Sequence, residues 1–485
     1  MRIPHLKVIL FALFLSTPVA SLILFDSVQI LGRPRPDFPP IAELLRGKKG
    51  RMDDFGKAVL ERSAPMKLAV QLQSWIAYRV VGFVDTPKIV SGEDGWLFYR
   101  PEFNRGRCLD EPGTAASLRR LAVLMDMGRA AGMDVIISIS PDKSTIYPEM
   151  LSQRVRGYWK CRERSIATLR RLIKRWAPEI IDHAEPLLAE KARRPQPPLY
   201  YHADTHWSEY GAAIALRQLL VRIFPDAPVP PPRRSNATMV READLSDMLL
   251  LPLQEQVAAL DRDLEKKLRT LNRDPAGYRT VIAHDSFYGF LKTQLRAVFP
   301  TAARFQLAAN DQELGHATES ADRLIINVVE RTLLARIERT ELKWDTPMMR
   351  GIVKRNMAAA AACGDFTAIG AVPGGALDGD DPEIPIGPAA SPARLPCLRL
   401  TLDAPKTGIL EIMLPDSSGA FEPGHGFLYW ISSDRHVVSF VLPDYVAGSS
   451  VRLHLGKGAR IIVLHGVETG AVDRPPGLLA HEAQP

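Results

Sequence analysis

Between Trp96 and Val329 short apolar runs alternate with helical periods, and that alternation restricts the possible folds more than any other feature of the chain. Asp134-Val-Ile-Ile-Ser-Ile-Ser140, Tyr278-Arg-Thr-Val-Ile-Ala283 and Leu324-Ile-Ile-Asn-Val-Val329 have strand length and almost no polar face. Strands of that kind are buried on both sides, as in a parallel sheet covered by helices. Helical periods fall between them: Ser117 to Ala131 closed by Gly132, Arg162 to Arg175, a Ser208-capped stretch to Ile223, and a stretch from Phe290. Leu253 to Leu271 reads as a charged amphipathic helix, and 41–82 as helix also. The pattern predicts an α/β domain over residues 88–362 built on a covered parallel sheet.

The period changes after Cys363. Residues 363–396 are rich in Gly, Pro, Ala and Asp and read as a linker. From Leu398 apolar residues alternate with polar ones, as in Gly408-Ile-Leu-Glu-Ile-Met-Leu414 and His436-Val-Val-Ser-Phe-Val-Leu442. Residues 397–470 are therefore predicted to form a small β-sandwich, with 471–485 as a tail. Two folded units suit a chain of 485 residues, which is too long for one compact core.

Arg2, His5 and Lys7 precede Val8 to Phe25, eighteen residues without a charge. At ~1.5 Å per residue such a run nearly crosses a ~30 Å hydrocarbon layer. Residues 1–32 are expected to be a signal anchor with the body on the periplasmic side, cleavage to a soluble form being the alternative. Residues 33–87 follow as a Pro-rich stem and a helical segment. The four cysteines, Cys108, Cys161, Cys363 and Cys397, lack CxxC spacing, and in an exported chain an even number reads as disulfides. Pairing in sequence order would put one bridge in each half. The net charge of +7 permits an anionic partner, while no basic stripe with interleaved aromatics points to nucleic acid.

Chemistry concentrates in two short stretches, His202-Ala-Asp-Thr-His-Trp207 and His284-Asp-Ser-Phe287. An Asp that orients a His, and a His that deprotonates a Ser, form a nucleophilic acyl-transfer site. Ser286 follows a buried strand, where α/β sheets present nucleophiles and where turn amides face a developing oxyanion. Taken singly, Ser286 also suits a helix cap, and Asp204 with His206 a structural hydrogen bond. No metal site is expected, because Asp204-x-His206 lacks further ligands at metal spacing. Lys143, Tyr147, Tyr288 and Asn327 are candidates to line a substrate groove, with Asn327 also a possible oxyanion donor. Trp430 and Tyr429 could stack on sugars.

Five stretches in this order resemble the AlgJ/AlgX family of exported, SGNH-hydrolase-like polysaccharide O-acetyltransferases. They are Gly92-Glu-Asp-Gly-Trp-Leu-Phe-Tyr99, Pro141-Asp-Lys-Ser-Thr-Ile-Tyr-Pro-Glu149, Asp204-Thr-His-Trp-Ser208, Asp244-Leu-Ser-Asp-Met-Leu249 and His284-Asp-Ser-Phe287. The resemblance implies a three-layer SGNH-like domain in which the Asp–His pair precedes the Ser, a circularly permuted order. It implies Ser286 as nucleophile, His206 as base and Asp204 as its orienter. The family usually shows Gly where this chain has His284. It further implies an alginate-like or related exopolysaccharide as substrate and no cofactor, the acetyl group arriving from an inner-membrane partner of the membrane-bound O-acyltransferase type. Some members carry a carbohydrate-binding module after the catalytic domain, a role open to the β-rich segment. An exported acetylesterase and a non-catalytic, polymer-holding scaffold are the alternative functions.

Overall fold

The computed structural model describes residues 16–22, 37–46, 48, 50–103, 108–251, 253–261, 263–271, 274–307, 311–338, 347–369, 382–388, 391–404, 407–431, 434–455 and 462–475. Its centre is a five-stranded sheet made of β1 (Asp134–Ser140), β2 (Ile181–Asp182), β3 (Thr280–His284), β4 (Ala303–Gln306) and β5 (Arg323–Val329). The spatial order is β2-β1-β5-β3-β4, and every neighbouring pair is parallel. Successive residues of a strand face opposite sides, so each apolar run feeds two cores. Ile137 of β1 and Ile326 of β5 join one core with Leu121 and Leu124 of α3 (Glu111–Ala130) and Leu172 of α4 (Gln153–Trp176). Ile136 and Ile325 join the other, with Leu216 and Leu220 of α5 (Glu209–Ile223). This is the expected three-layer α/β arrangement.

Helix starts follow their caps. Asp110 accepts from the Gly113 amide (3.0 Å) at the head of α3, and Ser208 from the Gly211 amide (3.2 Å) at the head of α5. Upstream of the sheet the segment predicted as one helix is divided. α1 (Arg51–Arg62) stops at Ser63, which is extended and caps α2 (Ala64–Trp75); a π-helical turn, Ile76–Val80, continues it. No helix among the described residues is long and apolar enough to cross a membrane, and most of Val8 to Phe25 lies outside them.

Residues 253–271 do not form the expected helix. Gln254–Leu260 is a strand paired antiparallel with Arg234–Glu242, and only Asp263–Leu268 beyond it is helical. The spacing of Val257, Leu260 and Leu264 suits either state, and the partner strand decides between them.

Two four-stranded sheets follow. One has the order β6-β13-β8-β11, from β6 (Gly364–Ala368), β8 (Arg394–Ala404), β11 (Asp434–Val441) and β13 (Val463–Asp473). The other has the order β7-β12-β9-β10, from β7 (Glu383–Pro385), β9 (Gly408–Met413), β10 (Gly426–Ile431) and β12 (Ser450–Leu455). The Gly- and Pro-rich stretch 363–396 therefore supplies two edge strands, β6 and β7. Pro385 ends β7 at such an edge, where a missing amide costs nothing.

The sandwich does not hang free of the α/β domain. Leu400, Ile412 and Phe427 lie in the same apolar core as Leu121, Ile137 and Ile326. The buried Asn356 of α8 (Pro347–Ala359) donates to the carbonyls of Met127 and Val441, both at 2.9 Å, and accepts from the Val441 amide at 3.0 Å. Gly424 packs so closely on α3 that a β-carbon would stand 2.2 Å from the Ala116 carbonyl oxygen. Two disulfides, Cys108–Cys161 and Cys363–Cys397, join neighbours in sequence order.

Candidate active site

The C-terminal end of β3 runs into α7 (Ser286–Gly289) through Asp285. Asp285 accepts from the Phe287 amide at 2.9 Å with one oxygen and from the Val329 amide with the other, pinning the turn to the end of β5. Ser286 is thereby left exposed on the first turn of α7, while Phe287 and Tyr288 beside it are buried.

Facing Ser286 is the loop from Tyr201 to Ser208. Three of its carbonyls, those of Tyr201 (3.0 Å), His202 (3.0 Å) and Asp204 (2.6 Å), accept from the Lys143 ammonium. The Glu255 carboxylate takes the amides of His202 and Ala203 from the other side. Trp207 donates its indole N–H to the Phe287 carbonyl at 3.1 Å and so ties this loop to α7. The His206 ring lies against Phe287 and Phe290, with centroids 4.9 and 4.8 Å away.

Held in this way, His206 Nδ1 stands 2.7 Å from Asp204 Oδ1 and His206 Nε2 stands 2.8 Å from Ser286 Oγ. An ionised carboxylate can only accept, so Nδ1 carries the proton and Nε2 turns its lone pair to the serine hydroxyl. Asp204 Oδ1 also accepts from the His206 amide (2.9 Å), and Oδ2 from the Asp244 amide (3.1 Å). Burial pushes the Asp204 carboxyl up, but the hydrogen bonds and charge of His206 outweigh it and hold the group at about 2. The arrangement has the parts and the order of a serine acyl-transfer relay: an exposed hydroxyl, an acceptor nitrogen and an ionised orienter.

A second carboxylate reaches the same imidazole. Asp244 opens α6 (Asp244–Met248), accepts from the Thr205 amide at 2.7 Å, and places Oδ2 3.7 Å from His206 Nδ1. Burial, followed by the like charge of Asp204, pushes its carboxyl up. One atom each of Asp204, His206 and Asp244 gather within 4.8 Å, near enough to hold a cation. Nothing in the sequence marks Asp244 for the site, since forty residues of separation from Asp204 carry no spacing signal.

The proposed groove residues lie elsewhere. Lys143 is wholly buried, and burial lowers its ammonium to about 8 against the opposing charge of Glu102 and Glu255. Its position on the turn after β1 points it inward, where it clamps the Asp204 loop. Tyr147 is buried, its hydroxyl accepting from the Leu199 amide at 2.8 Å. Tyr288, on α7, is buried with its hydroxyl 2.9 Å from His183 Nε2 and 3.0 Å from Ser138 Oγ. Asn327 is an internal amide of β5, bonded to the hydroxyls of Ser138 and Ser140 at 3.0 Å. None of the four lines a surface. Trp430 belongs to β10 of the sandwich, half-buried, with the Arg350 guanidinium 4.6 Å over its ring. At the position before Asp285, His284 donates from Nδ1 to the Asp285 carbonyl at 2.6 Å.

Residues 89–248 match the family model described as SGNH hydrolase-like domain, acetyltransferase AlgX; Asp204, His206 and Asp244 lie inside that stretch and Ser286 beyond it. A probable alginate O-acetylase AlgJ of Azotobacter vinelandii is 26% identical over 176 residues, which are 36% of this chain and 44% of that protein. The protein of the same name from Pseudomonas syringae pv. tomato is 27% identical over 144 residues, 30% of this chain and 35% of its own length. The chain thus spans less than half the length of these relatives. The solved structure of Pseudomonas aeruginosa AlgX aligns with 80% of this chain and 94% of its own at 13% identity, with a TM-score of 0.36. Over residues 89–248 the chain is therefore similar to the SGNH hydrolase-like domain of the AlgX family model, and at low identity to AlgJ proteins.

Proposed function

We propose that the chain O-acetylates an exported polysaccharide through an acetyl-serine intermediate on Ser286. The observation that carries this reading is the single line of hydrogen bonds from Asp204 through His206 to the exposed Ser286 hydroxyl. In the first half-reaction Ser286 Oγ bonds to the acetyl carbon of the donor and its proton passes to His206 Nε2. The donor leaves with that proton. In the second, His206 takes the proton of a sugar hydroxyl while that oxygen attacks the acetyl carbon. The bond to Ser286 then breaks, and the serine oxygen recovers the proton. Asp204 holds the imidazolium formed in each half.

An exposed serine is open to water as well as to sugar, so the acetylesterase outcome depends on which acceptor arrives first. The AlgJ relatives are named for alginate, which makes a polyuronate the first polymer to test. Val8 to Phe25 would anchor the chain in the inner membrane with its body in the periplasm, beside a membrane protein that supplies acetyl groups. Intact-protein mass spectrometry after incubation with an activated acetyl ester tests the mechanism. One acetyl group on the wild type, absent from Ser286→Ala, is expected. Adding oligosaccharides then separates transfer from hydrolysis. Acetylation of Ser286→Ala equal to wild type would sink the assignment.

A further inference from the structure

Among the described residues, all but four of the large exposed apolar side chains lie between Val19 and Val81. The densest group stands on one side of α2 and its π-helical extension. Leu68 (64% exposed), Leu72 (59%), Trp75, Ile76 and Val80 (67%) follow one another at helical spacing, with Val81 next to them. The opposite side is satisfied. Val70 and Ser74 are buried, and Ala77 and Tyr78 pack on a small core containing Ala203, Ala243 and Leu245. An apolar stripe of this length on an otherwise polar surface marks an interaction site.

We propose that this face of α2 lies in the headgroup region of an anionic lipid bilayer, parallel to its plane. The inference rests on the reading of Val8 to Phe25 as the membrane anchor. Three observations select lipid as the occupant. The Ala64 amide, at the head of α2, donates to Ser21 Oγ at 3.2 Å, so the apolar run meets this helix directly. Ser21 stands four residues short of the end of that run in sequence, so α2 meets its outer part rather than its middle. The charges agree, since Ser63 to Val84 contains Lys67 and Arg79 and no acid. Trp75 has the amphipathic ring that settles at headgroup level. Because the inner side of the same helix packs near Ala203 and Ala243, docking would hold the loops bearing Asp204 and Asp244 close to the membrane surface, where an acetyl donor embedded in lipid can reach them.

All four native cysteines are in disulfides, so one introduced thiol can be labelled alone. The full chain carrying Leu72→Cys, or Leu188→Cys as a control elsewhere on the surface, is labelled with an environment-sensitive fluorophore. Each is reconstituted into vesicles of phosphatidylethanolamine and phosphatidylglycerol. The label at 72 should shift to the blue, be quenched by lipids brominated near the headgroup, and lose its quenching by aqueous iodide; the label at 188 should do none of these. Quenching by iodide at 72, on chains that resist carbonate extraction, overturns the docking and leaves the anchor standing. A label shielded from both quenchers means that protein covers the face, and also overturns it. Lipid quenching at 72 on chains that carbonate then strips off supports the docking and removes the anchor reading instead. Leu72→Glu with Trp75→Glu should abolish the lipid quenching of a label at Leu68→Cys.

Discussion

With one oxygen Asp204 accepts from both the amide and the ring of His206, and with the other it accepts from the Asp244 amide, so loop geometry and proton position depend on the same carboxylate. Asp204→Asn keeps the shape but puts a donor where the imidazole must donate. Turnover with an acetyl ester should fall on the order of 10⁴-fold, as when the orienting Asp of a triad is changed, with the melting temperature little altered. His183, under α7, offers a separate test. Burial lowers its imidazole to about 4 from an ordinary 6.5. The unfolded chain then binds a proton that the folded chain refuses between those values, so stability must rise with pH across that interval. Its loss on going from pH 6.5 to below 4 should be about 3 kcal/mol at most, and His183→Asn should flatten that part of the urea-midpoint profile. The sequence offered Asp204, His206 and Ser286 as candidates because their residue types and order are local, and the structure brings the three within hydrogen-bond reach. It misplaced Lys143, since a lysine on a strand-end loop is normally solvated and its three carbonyl partners come from a loop some sixty residues away.

At the scale of elements, the site is the meeting of two loops across the C-terminal ends of β1, β3 and β5. The β3 turn is fixed by Asp285, and the Asp204 loop by Lys143 from the turn after β1. Lys143→Met fills the space but takes the ammonium donor from the carbonyls of Tyr201, His202 and Asp204, of which that of His202 keeps the Leu97 amide. It should cost about 3 kcal/mol or more in stability, read from denaturant midpoints, and should lower turnover even in molecules that remain folded. The central strands were legible in the sequence because a run buried on both faces has no polar alternation to confuse. β6 and β7 were not: they are edge strands in a Gly- and Pro-rich stretch, and their partners lie some seventy to one hundred residues away. The 254–260 strand failed for a related reason, since its helical spacing is overruled by pairing with 234–242.

Across the whole molecule, the α/β domain and the sandwich share a core, with Asn356 bonded to both. Calorimetry should therefore show one cooperative transition rather than two. Asn356→Ala removes the side-chain partner of the Val441 amide and carbonyl and leaves the Met127 carbonyl only the Ala131 amide, and should lower stability by about 2 kcal/mol while keeping the transition single. A transition that splits would show the units to be separable. The exposure of Ser286, finally, bears on how a long acceptor would be approached under the proposed acetyl transfer. A nucleophile sunk in a tunnel would admit only chain termini, threaded one at a time. A hydroxyl at the surface can be met sideways by the middle of a strand, so acceptors are counted by their residues rather than by their ends, and modification need not proceed in order along the chain.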